Sequence, residues 1–491
     1  MNQGKTATYR RVIISSELTL QSDLHIGTGG LERVEINENE KGLSNSVAID
    51  QAGKPYIPAS TLRGYLASHL SRDDKEGFGL RWFGLSRQSE DDSGEQHGQK
   101  GALRVYDGRW LSGDNTSHVS RTSIDNVTGT ALAHSLSTHK MVLAGTAFRL
   151  HIEMDTWGQS GADADSGMVL IDDSEIEQLL ALLQRLDNAQ LGTGKSVGQG
   201  LLDWSAKNTD VKVLSDSDFG SWVVNNFRAG KKGKANKYQS LSKGFKPWNN
   251  SSNDLAILKG AIDTERLMVE FELVSDDGSP ILIDPESVKN ETGNTVSVFK
   301  QNHGEVMIAG STLKGWFRAH SRRILLTLCH DELGEINSEI EQRVEESLGK
   351  LFGSTELGKS AITFFNATAE IAEEDYHEQT FNAVDRFTGG VKDKALYSVK
   401  ALRMNKAFNG RIALNPQRMT PSMELLMMYV WRDAQEGDLV LGWGKAKGYG
   451  RLSLRPTNPD NLPWQNVDTS AWLAAEKDLF NELGITAEVQ V

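Results

Sequence analysis

The sequence predicts an α+β protein built from two tandem copies of one unit, each running strand, helix, strand, strand, helix, strand. Two observations carry this. Blocks of sequence recur in the same order half a chain apart, and in both copies strand-like alternation gives way to helical spacing at matching places. The order is that of a ferredoxin-like, RRM-like βαββαβ domain, here with hairpins and loops inserted.

The repeat is read from five blocks. Tyr56 to Arg72 (YIPASTLRGYLASHLSR) matches Met307 to Arg323 (MIAGSTLKGWFRAHSRR) at an offset of 251. Phe83-Gly84 matches Phe352-Gly353 at 269, and GALRVYD from Gly101 matches SAITFFN from Ser360 at 259. IDNVTG (Ile124 to Gly129) matches VDRFTG (Val384 to Gly389), as Ala147-Phe148 matches Ala407-Phe408, both at 260. LGTGKSVGQG from Leu191 matches LGWGKAKGYG from Leu441 at 250. Chance yields one such pair, whereas collinear blocks with small, local changes of offset require duplication.

Each copy opens on a β-branched strand, Arg11 to Leu20 and Leu267 to Leu273. A helix follows, with Ser60 and Ser311 as expected N-caps and Leu62, Tyr65, Leu66, His69 and Leu70 at helical spacing. Strands are expected at Leu103 to Tyr106 and Phe148 to Met154, mirrored by Ile362 to Phe365 and Arg411 to Leu414. A second helix starts at Ser174, where Ser174 and Glu177 form a capping box, and its counterpart starts at Thr420-Pro421. Leu201 to Trp204 and Arg451 to Leu454 close the copies as last strands. The domains are then 1–206 and 263–456, joined by a segment at 207–262 and followed by a tail at 457–491. His69 and His320, set among apolar residues, read as core histidines.

Composition excludes several classes. At 491 residues two or three domains are expected. One cysteine, Cys329, rules out a disulfide framework and any multi-cysteine metal site, and suits a reducing cytoplasm. The opening residues lack a signal-peptide apolar stretch and no apolar run reaches bilayer length, so a soluble chain with no membrane partner is expected. A net charge of −13 disfavours a surface that coats nucleic acid throughout, but leaves room for a local basic channel.

The glycine loops are tempting nucleotide sites, but their spacing fails. Ala189 stands where a P-loop needs its first glycine, and Ala446 where the second copy would need the magnesium-binding hydroxyl. Val197 takes the third glycine of a dinucleotide fingerprint, and the loop follows a helix rather than a strand. No nucleotide cofactor is expected. What remains is backbone at Gly192, Gly194, Gly198, Gly200, Gly442, Gly444, Gly448 and Gly450 that can approach a partner, with Lys195, Lys445 and Lys447 available for phosphate oxygens. A tight helix-to-strand connection explains the glycines equally well.

The set LHIGTGG (Leu24 to Gly30), PYIPASTLRG (Pro55 to Gly64), Phe-Gly, IDNVTG and the terminal glycine loop resembles the RAMP superfamily of CRISPR proteins. More narrowly, it is similar to the backbone subunits of type III effector complexes, present here as two fused copies over about Arg11 to Trp204 and Leu267 to Leu454. The resemblance implies a palm that holds a CRISPR guide RNA by its phosphates, displays it to a complementary target RNA and stacks against other RAMP-type subunits. By position it implies RNA contacts from Ser60, Thr61 and Arg63, and from Ser311, Thr312 and Lys314. Asp125 to Gly129 and Asp385 to Gly389 match the family's projecting hairpin, with Arg121 and Arg386 beside them.

Type III backbone subunits often cut target RNA with an aspartate between the first strand and first helix. Here that position is Ser44, and the matching count in the second copy lands on Thr295. The surrounding segments are nonetheless acidic, with Glu32, Glu35, Glu38, Glu40 and Asp50 in the first and Asp276, Asp277, Asp284 and Glu286 in the second. Glu35, Asp276, Asp277 and Asp284 are therefore the candidate catalytic carboxylates, able to bind Mg²⁺ or Mn²⁺ for in-line attack by a 2′-hydroxyl. Solvated loop carboxylates are the plainer account. A metal-dependent endoribonuclease and a non-catalytic scaffold both stay open, and a metal-independent guide-processing nuclease using His25 or His139 is a third reading.

Between the copies, Phe227 to Trp248 carries Arg228, Lys231, Lys232, Lys234, Lys237, Lys243 and Lys246 with Tyr238 and Phe245 and no acid, a composition suited to single-stranded RNA, with a solvated linker as the alternative reading. The tail predicts an amphipathic helix, Ser470 to Leu483, with Trp472, Leu473, Leu479 and Phe480 available for docking.

Overall fold

The computed structural model describes residues 8–37, 40–70, 79–85, 99–113, 116–125, 130–158, 172–204, 208–214, 245–248, 266–283, 285–289, 295–299, 301–302, 305–392, 395–403, 407–465 and 467–485. The chain divides into two compact units, Met1–Lys195 with Gln199–Asp263, and Ser196–Gly198 with Thr264–Val491.

In the first unit Leu202–Trp204, Thr8–Leu20, Ala147–Gly158 and Leu103–Val105 lie side by side, all antiparallel. Taken in chain order within the copy, this is the fourth, first, third and second strand of a βαββαβ palm. In the second unit Arg451–Pro456, Leu267–Val274, Phe408–Leu414 and Ile362–Phe364 repeat that order. Alternation explains the strands. Val12, Ile14, Leu18, Phe148, Leu150, Ile152 and Met154 face one buried side, where they meet Leu62 and Leu66 of the helix Ala59–Ser68 and Ile176, Leu179 and Leu183 of the helix Asp173–Leu183. The second unit buries Phe271, Phe364 and Phe408 likewise, with Phe364 against Phe317 of the helix Gly310–Leu333 and Phe271 against Trp431 of the helix Pro421–Gln435.

Three caps differ from expectation. The helix expected to begin at Ser174 starts one residue earlier, because Asp172 caps it by accepting from the Glu175 amide at 2.8 Å. Ser60 and Ser311 lie inside their helices, whose N-caps are Pro58 and Ala309, neither with a capping side chain. Thr420 caps Pro421–Gln435 as expected, accepting from the Met423 amide. His69 and His320 are buried, and His320 Nε2 lies 2.7 Å from Asp433 Oδ2 against the Trp316 ring, in keeping with core histidines.

Each unit adds a second four-stranded sheet. In the first, Gly27–Asn37, Glu40–Val47, Ser137–Val142 and Thr116–Arg121 follow one another, with a parallel pairing of Thr138 with Ser44. In the second, Pro285–Lys289, Thr295–Phe299, Tyr397–Leu402 and Tyr376–Phe381 do the same. Much of each supposed acidic loop is therefore a β-hairpin. Ser44 is wholly buried within this sheet and its hydroxyl has no hydrogen-bond partner among the described residues, so the position is a poor one for a carboxylate.

On the palm face opposite the helices of the first unit lies an ionic network. Glu153 accepts from Arg11 (2.6 Å) and Tyr106 (3.0 Å) and lies 3.2 Å from His151 Nε2, while Arg11 and Arg104 both also reach Asp155. Burial pushes the Glu153 carboxyl up, but its bonds to His151, Arg11 and Tyr106 and the Arg11 charge outweigh this and hold it at about 2.

The ends of the joining segment extend the same sheet. Asp210–Leu214 pairs with Thr8–Leu20, Lys246–Pro247 pairs with it in turn, and Phe245 packs on Tyr9 and Leu214. Lys231, Lys232 and Lys234 lie outside the described residues. The tail helix, Thr469–Leu483, finds its docking site within its own unit, where Ala475, Leu479 and Leu483 join the core and Glu482 accepts from Ser422 at 2.9 Å. Leu473 is left 62% exposed, so the buried stripe excludes it. Among the described residues no helix is long and apolar enough to cross a membrane.

Candidate nucleic-acid interface

Sequence assigned both glycine loops to a connection between the second helix and the last strand, and the structure builds them alike. All eight glycines have positive φ. Gly192 and Gly442 occupy matching positions, and a Cβ on either would lie 2.3 Å from a carbonyl oxygen, of His25 in one and Leu282 in the other. The next residue then donates to that carbonyl, Thr193 to His25 at 3.0 Å and Trp443 to Leu282 at 2.8 Å. Gly200 donates to Asp23 and Gly450 to Pro280, each at 2.9 Å. Each loop is thus pinned at both ends to the segment following its first strand, and Lys195, Lys445 and Lys447 are exposed on its outer turn. Steric need accounts for the pinned glycines, and the cations stand on the part left open.

At the first helix of each palm, Ser60 and Arg63 are exposed and Thr61, Ser311 and Thr312 partly so. The leading amide of each helix is already taken: Asp107 Oδ1 accepts from Ala59 N at 2.8 Å, and Asn366 Oδ1 from Gly310 N at 2.9 Å. These two residues end the repeated strand blocks GALRVYD and SAITFFN, and a short polar residue closing both blocks is the signal by which sequence reasoning could have found them. They also separate the copies chemically, since a carboxylate at the helix start opposes a phosphate and a neutral amide does not.

Arg63 donates to the Phe83 carbonyl and its guanidinium lies 5.5 Å from that ring's centroid, which ties the cation to the Phe-Gly pair. Lys314 is half-buried, and desolvation with the nearby Arg318 charge lowers its ammonium to about 8, leaving it charged at neutral pH. Arg121 is also partly buried, with desolvation lowering its guanidinium and Asp23 opposing that effect. Beside it, His139 is pushed down by burial and by the charges of His25 and Arg121. His25 is buried and its Nδ1 donates to the Lys140 carbonyl at 2.7 Å.

The projecting hairpin is described most fully in the second copy. Asp385 Oδ1 accepts from the Phe387 and Thr388 amides at 2.9 Å, a turn that holds the carboxyl below its usual range. Arg386 is exposed and Phe387 is 99% exposed, so the tip offers an aromatic ring and a cation together. In the first copy 126–129 lies outside the described residues, and Asp125 donates its amide to Thr130 at 2.8 Å.

The candidate catalytic carboxylates are not gathered into one described group. Asp276 pairs with Arg455, while Asp277 accepts from the Ser279 amide at 2.9 Å and lies 3.7 Å from Arg451. Glu35 lies on the strand Gly27–Asn37, its backbone paired with Lys41, and Asp284 lies outside the described residues. With arginines against both described aspartates, these side chains do not fit a ready-made site for Mg²⁺ or Mn²⁺.

A palm built twice, with a pinned glycine loop bearing exposed lysine in each copy, defines a tandem protein of the βαββαβ class with repeated cationic loops. The family model of the RAMP superfamily matches residues 17–203 and 247–453. The chain belongs to that superfamily, whose members are generally CRISPR-associated RNA-binding proteins. Comparison with curated proteins gave no match.

Proposed function

We propose that this chain is a tandem backbone subunit of a type III CRISPR ribonucleoprotein. It works in the cytoplasm beside other RAMP-type subunits, holds guide RNA by its phosphates and displays the bases to a complementary target RNA. The observation that carries the reading is the equivalence of the two glycine loops, each fixed by the same two backbone bonds and each presenting lysine at the same place, Lys195 and Lys445. A phosphodiester chain is a repeating anion, and a duplicated cationic loop is a repeating receptor for it. Sequence would be read by base pairing, while the protein meets backbone and shape.

The proposed role is holding and display rather than cutting. An arginine beside Asp276 and another near Asp277 supply the positive charge that a metal ion would otherwise bring. Sequencing the small RNA that travels with the purified protein tests the proposal. RNAs sharing one constant segment joined to variable segments are expected, and random fragments or no RNA would overturn it. Incubating the assembled complex with matched RNA and Mg²⁺ or Mn²⁺ should give no cut that Asp276→Ala or Asp277→Ala abolishes.

A further inference from the structure

The two copies diverge at one spot in a way that the repeat makes visible. In the second copy, Phe381 and Tyr397 from the hairpin strands and Trp443 and Tyr449 from the glycine loop bring four rings together. Phe381 stacks on Tyr397 at 5.4 Å, Trp443 lies 5.6 Å from Phe381 edge-on, and Tyr449 lies 5.1 Å from Trp443. The ammonium of Lys447 sits among them, 4.8 Å from the centroids of Phe381 and Trp443 and 5.2 Å from that of Tyr397, and it donates to the Tyr397 hydroxyl. The matching residues of the first copy are Arg121, Ser137, Thr193, Gln199 and, for the lysine, Val197. Not one of them is aromatic.

Buried rings need no further explanation, but three of these four are not fully buried. Tyr449 is closed off at 3% exposure, whereas Tyr397 is 40% exposed and Phe381 and Trp443 are intermediate. The group opens beside two exposed lysines, Lys445 and Lys447, on a loop whose Gly448 turns with φ +78° into open space. A quaternary ammonium ligand would enjoy the rings but be repelled by those lysines. A nucleotide satisfies both features, with its base against the rings and its phosphate against the ammonium.

We propose that this aromatic group is a nucleobase-stacking site for single-stranded RNA, found in the second copy alone and occupied by Lys447 until RNA arrives. On binding, Lys447 swings from the rings to the phosphate, and the base takes its place. The cation–π contact fills the site in the absence of RNA and is exchanged for a salt bridge, so the move costs little. The inference rests on the reading that the chain binds RNA.

The test uses the full chain, freed of co-purifying nucleic acid, and a single-stranded RNA carrying 5-iodouridine, whose photo-adducts form with stacked aromatic side chains. Affinity is read in parallel by fluorescence anisotropy. Adducts on Trp443, Tyr397 or Phe381 are expected, with Lys447→Ala raising their yield by leaving the rings open. Trp443→Leu should weaken binding about tenfold, as loss of one stacked base does. The adduct map of the unaltered chain does not depend on whether that variant folds. If RNA binds but adducts fall only elsewhere, the stacking site is wrong and RNA binding stands. If no RNA binds at all, both fall.

Discussion

Gly450→Ala will destabilise the second unit on the order of 3 kcal/mol or more, among the largest effects of any single methyl group in this chain. Gly450 has φ +81°, and a Cβ there would lie 1.8 Å from the Leu441 carbonyl oxygen. The Leu441 amide also donates to the Gly450 carbonyl at 2.8 Å, so the backbone cannot retreat without breaking that bond. Gly448→Ala is the control. It shares the left-handed backbone, φ +78°, but nothing lies within 4 Å of the added carbon, and a cost of about 1 kcal/mol is expected. Chemical denaturation of both variants measures the difference. Equal, small losses would mean that the loop is not pinned as described.

The second large effect concerns Glu153. Its carboxyl is lowered from an ordinary 4.5 to about 2 in the folded protein, so its contribution is fully present above 4.5 and is lost as pH falls through the folded value. The gap corresponds to about 3 kcal/mol of stability at neutral pH. Its side chain is only 9% exposed, so solvent screens the network weakly. Glu153→Gln should therefore be less stable than the parent by about that amount at pH 7, with the difference closing between pH 4.5 and 2. Urea unfolding across that range measures it. A gap that stays constant with pH would show that the Arg11 and His151 contacts do not discriminate between the two protonation states.

Much of the fold was legible because duplication amplifies weak signals. The strand at Arg11 to Leu20 and the one at Leu267 to Leu273 each alternate imperfectly, but the repeat places both as the opening strand of a palm. The helix caps were less legible. Ser60 has the right residue type at the start of a helix, and the leading amide goes instead to Asp107, 48 positions along the chain. Local pattern cannot reveal a cap supplied from another strand. The second sheet was missed for a related reason. Glu32 and Glu35 read as part of a solvated acidic loop, but Glu32 bonds His118 at 2.9 Å and Lys140 at 3.1 Å, on strands further along the same sheet. The glycine loops were located correctly between the second helix and the last strand, and Lys195, Lys445 and Lys447 are exposed on their outer turns. The aromatic group around Lys447 was unreadable, since Phe381, Tyr397 and Trp443 are far apart in sequence and meet only when the hairpin and the loop fold together.

The account turns on both copies gripping RNA through equivalent loops, and the most direct measurement is RNA affinity against salt for Lys195→Gln, Lys445→Gln and the double variant. Each single change should weaken binding and reduce the salt slope by about 0.7, the share of one phosphate contact on a single strand, and the double variant should lose about 1.4. A slope unmoved by either variant, or moved by only one of them, would contradict it.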